Sequence, residues 1–244
     1  MTIRKLVGLV VVGGSVAAVA ATGVLASARA ITPPPAIKSA GKIVYCTDAT
    51  YPPEEYFQGS KIVGSDIDIG AGVAKQMGVK AQFKNTGFDG IIAALLSKRC
   101  DAIISGMNDT PERRKQVDFV DYLKVGQSIM VKKGNPNHIS TLESLSGHTV
   151  SVESGTTNRD FLAATSAKLT KQGKKGISIK TFPKDTDAFA ALKAGRVDAY
   201  YADAPPVAYY AKTDKSVVVA GNPINPFPIG IAIRKHDPLR ASTL

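Results

Sequence analysis

Hydrophobic residues in the first half of the chain form short runs, separated by segments in which they recur every three or four positions. The runs predict strands over Lys42–Thr47, 80–83 and 102–104, and the spaced segments predict helices that begin near Asp66 and Asp89. Strands that alternate with helices of about ten residues are typical of parallel sheets, so this half is predicted to be α/β.

The second half repeats this alternation. Strands are predicted over 128–133, 149–152, 177–182 and 199–201, and helices over 158–169, over 187–194 and from Pro205. FDGIIAALLSKRCDAIIS and TDAFAALKAGRVDAYYAD share an apolar helix, a basic end, an Asp-Ala pair and an apolar strand. This weak internal repeat places Ser105 and Asp203 at corresponding strand ends. Ligands bind beyond the carboxyl ends of parallel strands, so two facing lobes would bring Ser105, Arg113 and Asp203 to one cleft.

Two crossings between lobes are predicted where the pattern is interrupted, at 125–127 and in the proline-rich stretch 222–228. A strand over 230–234 then returns to the first lobe. The prediction is a two-lobed α/β fold in which each lobe is a mostly parallel sheet flanked by helices. Lobe 1 comprises 41–125 and 229–244, lobe 2 comprises 126–228, and a mobile leader over 31–40 precedes them.

Arg113 lies at a predicted helix start, with Thr110 as the N-cap and Pro111 at the first helical position. A cation is disfavoured there, because the helix dipole already carries positive partial charge. A bound carboxylate would resolve the conflict, since free N–H groups and a planar guanidinium both suit such a ligand. The alternative is a surface ion pair with Asp118 or Asp121.

The first thirty residues have the features of an export signal. Arg4 and Lys5 precede an apolar run over 6–25, and Ala28-Arg29-Ala30 fits the small-x-small cleavage rule. We expect export to the periplasm or the outer face of the membrane, with cleavage after Ala30. The run is also long enough to span a bilayer, so an uncleaved anchor is the alternative.

The net charge of +11 falls to +8 once the signal is removed, because 28 basic and 20 acidic residues remain. The lysines are scattered and the aromatic residues are not interleaved with them, which argues against a nucleic-acid partner. One dense cluster, formed by Lys168, Lys171, Lys174 and Lys175, is either a solvated face or a docking surface for a membrane partner.

The two cysteines are predicted to be unpaired. Cys46 ends its strand and Cys100 begins its own, so an offset of about four residues in parallel neighbours would separate them by ~13 Å. The three histidines, His138, His148 and His236, occur singly, and no metal or other cofactor is predicted.

The order and spacing of several short motifs resemble the family-3 solute-binding proteins of bacterial amino-acid ABC transporters. The similarity covers nearly all of the chain after the signal. Its motifs are TDATYPP at 47–53, GSDID at 64–68, FDG at 88–90, DAIIS at 101–105, TPER at 110–113, SGTT at 154–157 and GRVDA at 195–199. The resemblance implies a hinged type II periplasmic-binding-protein-like fold, a ligand clamped between lobes, and an inner-membrane permease as the partner of a monomer.

The resemblance also implies residue roles. Arg113 takes the α-carboxylate, helped by the N–H groups of Asn108 and Thr157. Asp203 and the Gly106 carbonyl receive the α-ammonium group. The side chain lies between Tyr51 and Phe88. Ser105, Thr156, Asp48, Glu54 and Glu153 complete the predicted site.

Two departures from the family pattern bear on the ligand. Glu54 replaces a usually aromatic or apolar residue, and Glu153 replaces an apolar or amide residue. Together with Asp48 they favour a cationic side chain, as in lysine, arginine, ornithine or histidine, which limits the cost of burying charge. If Glu54 and Glu55 instead point to water, a neutral polar amino acid is the alternative. Asn108 replaces a more usual hydroxyl residue, which leaves its side-chain contact to the ammonium group open.

Other classes of function are less well supported by the residues. Cyclohexadienyl dehydratases share this fold, but that reaction needs a positioned acid and no carboxylate closely follows Asp203. A receptor sensor module is the other alternative, although no membrane span or kinase-like domain follows. A binding protein rather than an enzyme is therefore predicted. The resembling proteins continue beyond 244 into helices that cover lobe 1, so a truncated and less stable lobe 1 is expected.

Overall fold

The computed structural model describes residues 31–243. The predicted signal peptide and its cleavage site lie outside the described residues. The helices are α1 Pro35–Ala40, α2 Ser65–Gln76, α3 Ile91–Leu96, α4 Pro111–Arg114, α5 Thr157–Lys171, α6 Asp185–Lys193 and α7 Ala204–Thr213. The strands are β1 Lys42–Thr47, β2 Thr50–Tyr51, β3 Glu55–Gln58, β4 Lys61–Val63, β5 Lys80–Asn85, β6 Ala102–Ile103, β7 Val117–Lys132, β8 Thr149–Glu153, β9 Ser178–Phe182, β10 Ala199–Asp203 and β11 Val217–Arg234. Within 31–243, no helix combines the length and apolar character needed to cross a membrane.

Two long antiparallel strands, β7 and β11, connect two parallel groups of strands. The strand order is β5-β1-β6-β11-β7-β10-β8-β9. In lobe 1, β1 pairs in parallel with β5 and β6, and in lobe 2, β8 pairs in parallel with β9 and β10. Separate apolar clusters pack on the faces of each group. The two-lobed α/β fold with two crossover strands is confirmed.

The pairing of β7 with β11 is interrupted where the strands pass between lobes. The register shifts between Ala220 and Ile224, between Ile224 and Phe227, and between Ile229 and Gly230. Such irregularities bend a strand and locally break its ladder of hydrogen bonds. The crossings predicted at 125–127 and 222–228 fall in this segment, which is where a hinge between the lobes would bend.

Two elements near the start of lobe 1 differ from the predictions. Residues 31–40 do not form a separate leader, because 35–40 form α1, Ile37 is buried in the lobe 1 core, and the Ile31 N–H donates to the Gln76 carbonyl. A small antiparallel sheet of β2, β3 and β4 follows β1. Its strands of two to four residues are too short for a periodic pattern to predict.

The prediction of unpaired cysteines is wrong. Cys46 and Cys100 form a disulfide with their Cα atoms 5.7 Å apart. The prediction placed Cys100 inside the strand, whereas β6 begins two residues later and Cys100 lies in the turn after α3. That turn returns over the face of β1 that packs on α3, and the Arg234 guanidinium donates to the Cys100 carbonyl at 2.8 Å. The ~13 Å offset holds only for an extended chain.

Candidate functional site

The strand ends of the two lobes line a narrow cavity between them. Nine of the twelve predicted site residues line it: Asp48, Tyr51, Phe88, Ser105, Gly106, Asn108, Glu153, Thr156 and Asp203. Glu55 and Asn158 also line it and were missed. Arg113 and Thr157 lie together in the adjoining groove, and Glu54 is buried away from the cavity wall.

Arg113 lies at the entrance and connects the two lobes. The Thr110 hydroxyl caps α4 by accepting from the Arg113 N–H at 3.2 Å, as predicted. The guanidinium donates to the Asn108 carbonyl of lobe 1 at 2.8 Å and to the Gly155 carbonyl of lobe 2 at 3.1 Å. It lies 5.4 Å from the centre of the Phe88 ring.

The alternative surface ion pair for Arg113 does not form. Asp118 pairs with Lys235 at 2.8 Å, and Asp121 lies 3.8 Å from Arg114. Burial lowers the pKa of Arg113, while the negative charges of Asp203 and Asp160 oppose that shift. Because two carbonyls use only part of its five donors, the guanidinium retains N–H groups for an anion.

Asp203 ends β10 inside the cleft. Its Oδ1 accepts from the Asn158 side chain at 3.2 Å, and its N–H donates to the Tyr51 hydroxyl at 3.2 Å. Burial raises the pKa of Asp203 to about 6, although hydrogen bonds from Asn158 and Tyr51 and the charge of Arg113 lower it. Asp203 occupies the N-cap position of α7, but its side chain makes no capping hydrogen bond. The carboxylate is therefore available to a ligand.

Hydrogen bonds fix the lobe 1 wall of the cavity. Asp48 accepts from the Thr50 hydroxyl at 2.8 Å and from the Phe88 N–H at 2.7 Å, which holds the backbone of Phe88 against β1 and the loop after it. The Ser105 hydroxyl accepts from the Asp48 N–H and donates to Glu55, both at 2.8 Å. Both hydrogen bonds of the Ser105 hydroxyl are therefore made to neighbouring residues, and they stabilise the lobe 1 wall.

A chain of amides and hydroxyls supports the lobe 2 wall and reaches across the cleft. The Tyr201 hydroxyl donates to Gln127, and Gln127 donates to Asn158, which holds Asp203. The Thr157 hydroxyl donates to the Asn108 side-chain oxygen of lobe 1 at 2.6 Å. Gln127 and Asn158 were missed because an amide in a strand or a first helical turn has no pattern of its own.

Acidic side chains greatly outnumber basic ones around the cleft. Seven are buried: Asp48, Glu54, Glu55, Asp66, Glu153, Asp185 and Asp203. Burial is the leading cause of a raised pKa in each of them, to about 9 for Glu54 and about 7 for Asp185. Within 31–243, no three side chains are arranged to hold a metal ion. A positive charge placed beside these carboxyl groups would lower their pKa values again, because it favours the ionised form.

Three of these acids near the cleft are buried in lobe 1: Glu54, Glu55 and Asp66. Glu54 and Glu55 do not point to water, since they are 2% and 0% exposed. One carboxylate oxygen of each has no hydrogen-bond partner among the described residues. Asp66 lies in the first turn of α2, as predicted from the helix start, and Gly64 holds the N-cap position. The Asp66 carboxylate accepts from the Gly106 N–H at 2.8 Å and the Tyr122 hydroxyl at 2.7 Å, which supports the Gly106 turn.

Two α/β lobes joined by two crossover strands, with a cleft between them, are the architecture of a two-lobed solute-binding protein. The chain belongs to the bacterial extracellular solute-binding proteins, family 3, whose sequence profile matches residues 43–239.

Individual relatives cover most of the chain. The L-cystine-binding protein TcyJ of Escherichia coli strain K12 is 32% identical over 205 residues, which are 82% of this chain and 74% of that protein. ABC transporter arginine-binding protein 1 of the same strain is also 32% identical over 205 residues, covering 82% of this chain and 80% of that protein. A truncated ArgBP from T. maritima, solved with arginine bound, has a TM-score of 0.76 and 35% identity, with 85% of this chain and 95% of that chain covered. These relatives are named as amino-acid-binding proteins and not as enzymes.

Proposed function

We propose that the protein binds a free L-α-amino acid with a cationic side chain and delivers it to an ABC permease. Arginine is the first ligand to test, because it is named for two of the relatives described above. The observation that carries the proposal is the excess of buried carboxyl groups around a cleft that contains one guanidinium, Arg113. A cationic ligand would favour the ionised form of these carboxyl groups and pair with it, whereas a neutral or acidic ligand would leave them protonated or unpaired.

The two poles of an amino acid match the two ends of the cleft. Arg113 is assigned to the α-carboxylate, with the N–H groups of Asn108 and Thr157 beside it. Asp203 and the Gly106 carbonyl are assigned to the α-ammonium group. Charge-assisted hydrogen bonds contribute about 1.5–3 kcal/mol each, a large share of the roughly 8 kcal/mol that micromolar affinity requires. Tyr51 and Phe88 supply the walls for the side chain.

Delivery depends on a change in shape between the lobes. The narrow cavity requires the ligand to bind an open form, and the irregular crossing of β7 and β11 provides the hinge. The permease would then recognise the closed and loaded form. We propose that the protein acts as a monomer in the periplasm or on the outer face of the membrane.

A thermal-shift screen of the common amino acids tests the proposal. At a hundred times its dissociation constant, a ligand adds about 2.7 kcal/mol of stability, which raises the Tm of a chain of this size by roughly 5–11 °C. We expect arginine, lysine, ornithine or histidine to give the largest shift and aspartate and glutamate to give none. A larger shift with a neutral amino acid would contradict the cationic assignment. Product formation from prephenate or arogenate would instead favour a dehydratase.

A substitution at Gly155 tests whether closure of the two lobes is needed for high affinity. Gly155 has a φ of 75°, and a Cβ there would lie 2.9 Å from the Asp89 Cα of the opposite lobe. We expect Gly155→Ala to weaken arginine binding about tenfold or more, because the lobes can no longer meet, and calorimetric titration measures this. Gly173→Ala is the matched control, since Gly173 has the same φ of 75° and nothing within 4 Å of its Cβ position. Equal losses in both variants would show that backbone strain alone is responsible.

A further inference from the structure

Glu153 is a buried acid on the lobe 2 wall of the cavity. It is the last residue of β8, is 4% exposed, and lines the cavity. Its Oε1 is buried and has no hydrogen-bond partner within 31–243. A side chain that lines the space a ligand would fill therefore carries a buried oxygen without a partner.

The ionisable groups that act on Glu153 come from every element around it. Asp185 begins α6, Asp203 ends β10, and Asp48 belongs to the opposite lobe. The charge of Glu153 also contributes to the raised pKa of Tyr210 in α7. Lys184 acts on Asp48, and none of the salt bridges in the described part of the chain involves Glu153. Burial first, and then the charges of Asp185 and Asp48, raise the pKa of Glu153 well above its usual range.

The proposed function brings the ligand side chain into this same space. Resting on that function, we propose that Glu153 is the specificity-determining residue of the cleft. When the lobes close, its carboxylate lies opposite Asp48 and admits an amino acid only if the side chain carries a neutralising cation.

The proposed role of Glu153 predicts that binding a neutral ligand is accompanied by proton uptake. A side chain that only fills space would not produce this effect. Closing around a neutral side chain leaves Glu153 buried among acids, so the carboxyl must take up a proton. When the lobes close around a cationic side chain, the Glu153 carboxylate stays ionised. A group whose pKa is raised in a complex stabilises that complex at low pH, and this contribution is lost as pH rises. Affinity for a neutral ligand should therefore fall as pH rises, and discrimination against it should increase.

Arginine and citrulline are the probes, because citrulline keeps the size of arginine but replaces the guanidinium with a neutral urea group. Calorimetric titrations at pH 6 and pH 8, in two buffers with different ionisation enthalpies, give affinity and proton uptake together. For the wild type we expect discrimination to increase about tenfold or more between pH 6 and pH 8, and citrulline to take up more protons than arginine. In Glu153→Gln, both differences should disappear and citrulline should bind more tightly than to the wild type.

Glu143→Gln is the matched control, since Glu143 is an exposed acid of the same lobe. It should behave as the wild type does. Discrimination and proton uptake that stay the same in Glu153→Gln would overturn the inference while leaving the proposed function intact. Should that variant fail to fold, a wild-type discrimination that is equal at pH 6 and pH 8 overturns it as well. If the wild type binds neither arginine nor lysine, the proposed function fails, and this inference fails with it.

Discussion

Replacing Arg113 with alanine is expected to weaken binding of a cationic amino acid by about 2–5 kcal/mol, a loss of roughly 30- to 5000-fold in affinity. The variant would leave the α-carboxylate in a cleft where the remaining ionisable side chains are mostly acidic. It also removes the bridge from the Asn108 carbonyl to the Gly155 carbonyl, which holds the lobes together. Calorimetric titration with arginine measures the loss, and the Tm of the ligand-free variant shows whether the fold survives.

Two further variants separate the possible causes of that loss. Arg113→Lys keeps the positive charge but not the planar pair of donors, so we expect an intermediate affinity. Arg196→Ala removes an exposed arginine of lobe 2 and should leave affinity unchanged. An unaltered dissociation constant in Arg113→Ala would refute the assignment of Arg113 to the ligand carboxylate.

The parts of the site that the sequence could predict are those that end regular elements. Ser105 and Asp203 end short apolar runs that predict buried strands, and carboxyl ends of parallel strands meet at one edge. Arg113 was predicted from Thr110 and Pro111, whose chemistry defines a helix start. In each case a local pattern fixes the position of the side chain relative to a sheet, and the sheet then places it in the cleft.

The parts that could not be predicted depend on contacts between distant segments. Glu54 and Glu55 are neighbours, and which of them lines the cavity is decided by the pairing of β2 with β3, where Tyr51 lies opposite Glu55. No periodic signal exists in a two-residue strand. Asn158 and Gln127 are placed by a hydrogen-bonded chain that has no sequence spacing.

Removing the disulfide should cause the largest loss of stability of any change proposed for this protein. Cys46 and Cys100 are separated by 54 positions and both are buried. In the chain-entropy description, closing a loop of that length stabilises the fold by about 4 kcal/mol, because the unfolded chain loses freedom. We therefore expect Cys46→Ser combined with Cys100→Ser to lower the Tm by roughly 10 °C, as measured by calorimetric melting.

The serine side chains would themselves place two hydroxyls in an apolar cluster with Ile91, Leu95 and Ile103, which costs stability. Melting in the presence of reductant controls for this effect. Melting the wild type with a thiol reductant should lower its Tm towards that of the double variant, whereas the double variant should not respond. A wild type that melts at the same temperature with and without reductant would contradict a stabilising role for the bond.

Because Cys46 is two residues from Asp48 and Cys100 is five residues from Ser105, the disulfide also links two segments of the lobe 1 wall. We therefore expect the double variant, assayed well below its Tm, to bind arginine more weakly than the wild type does.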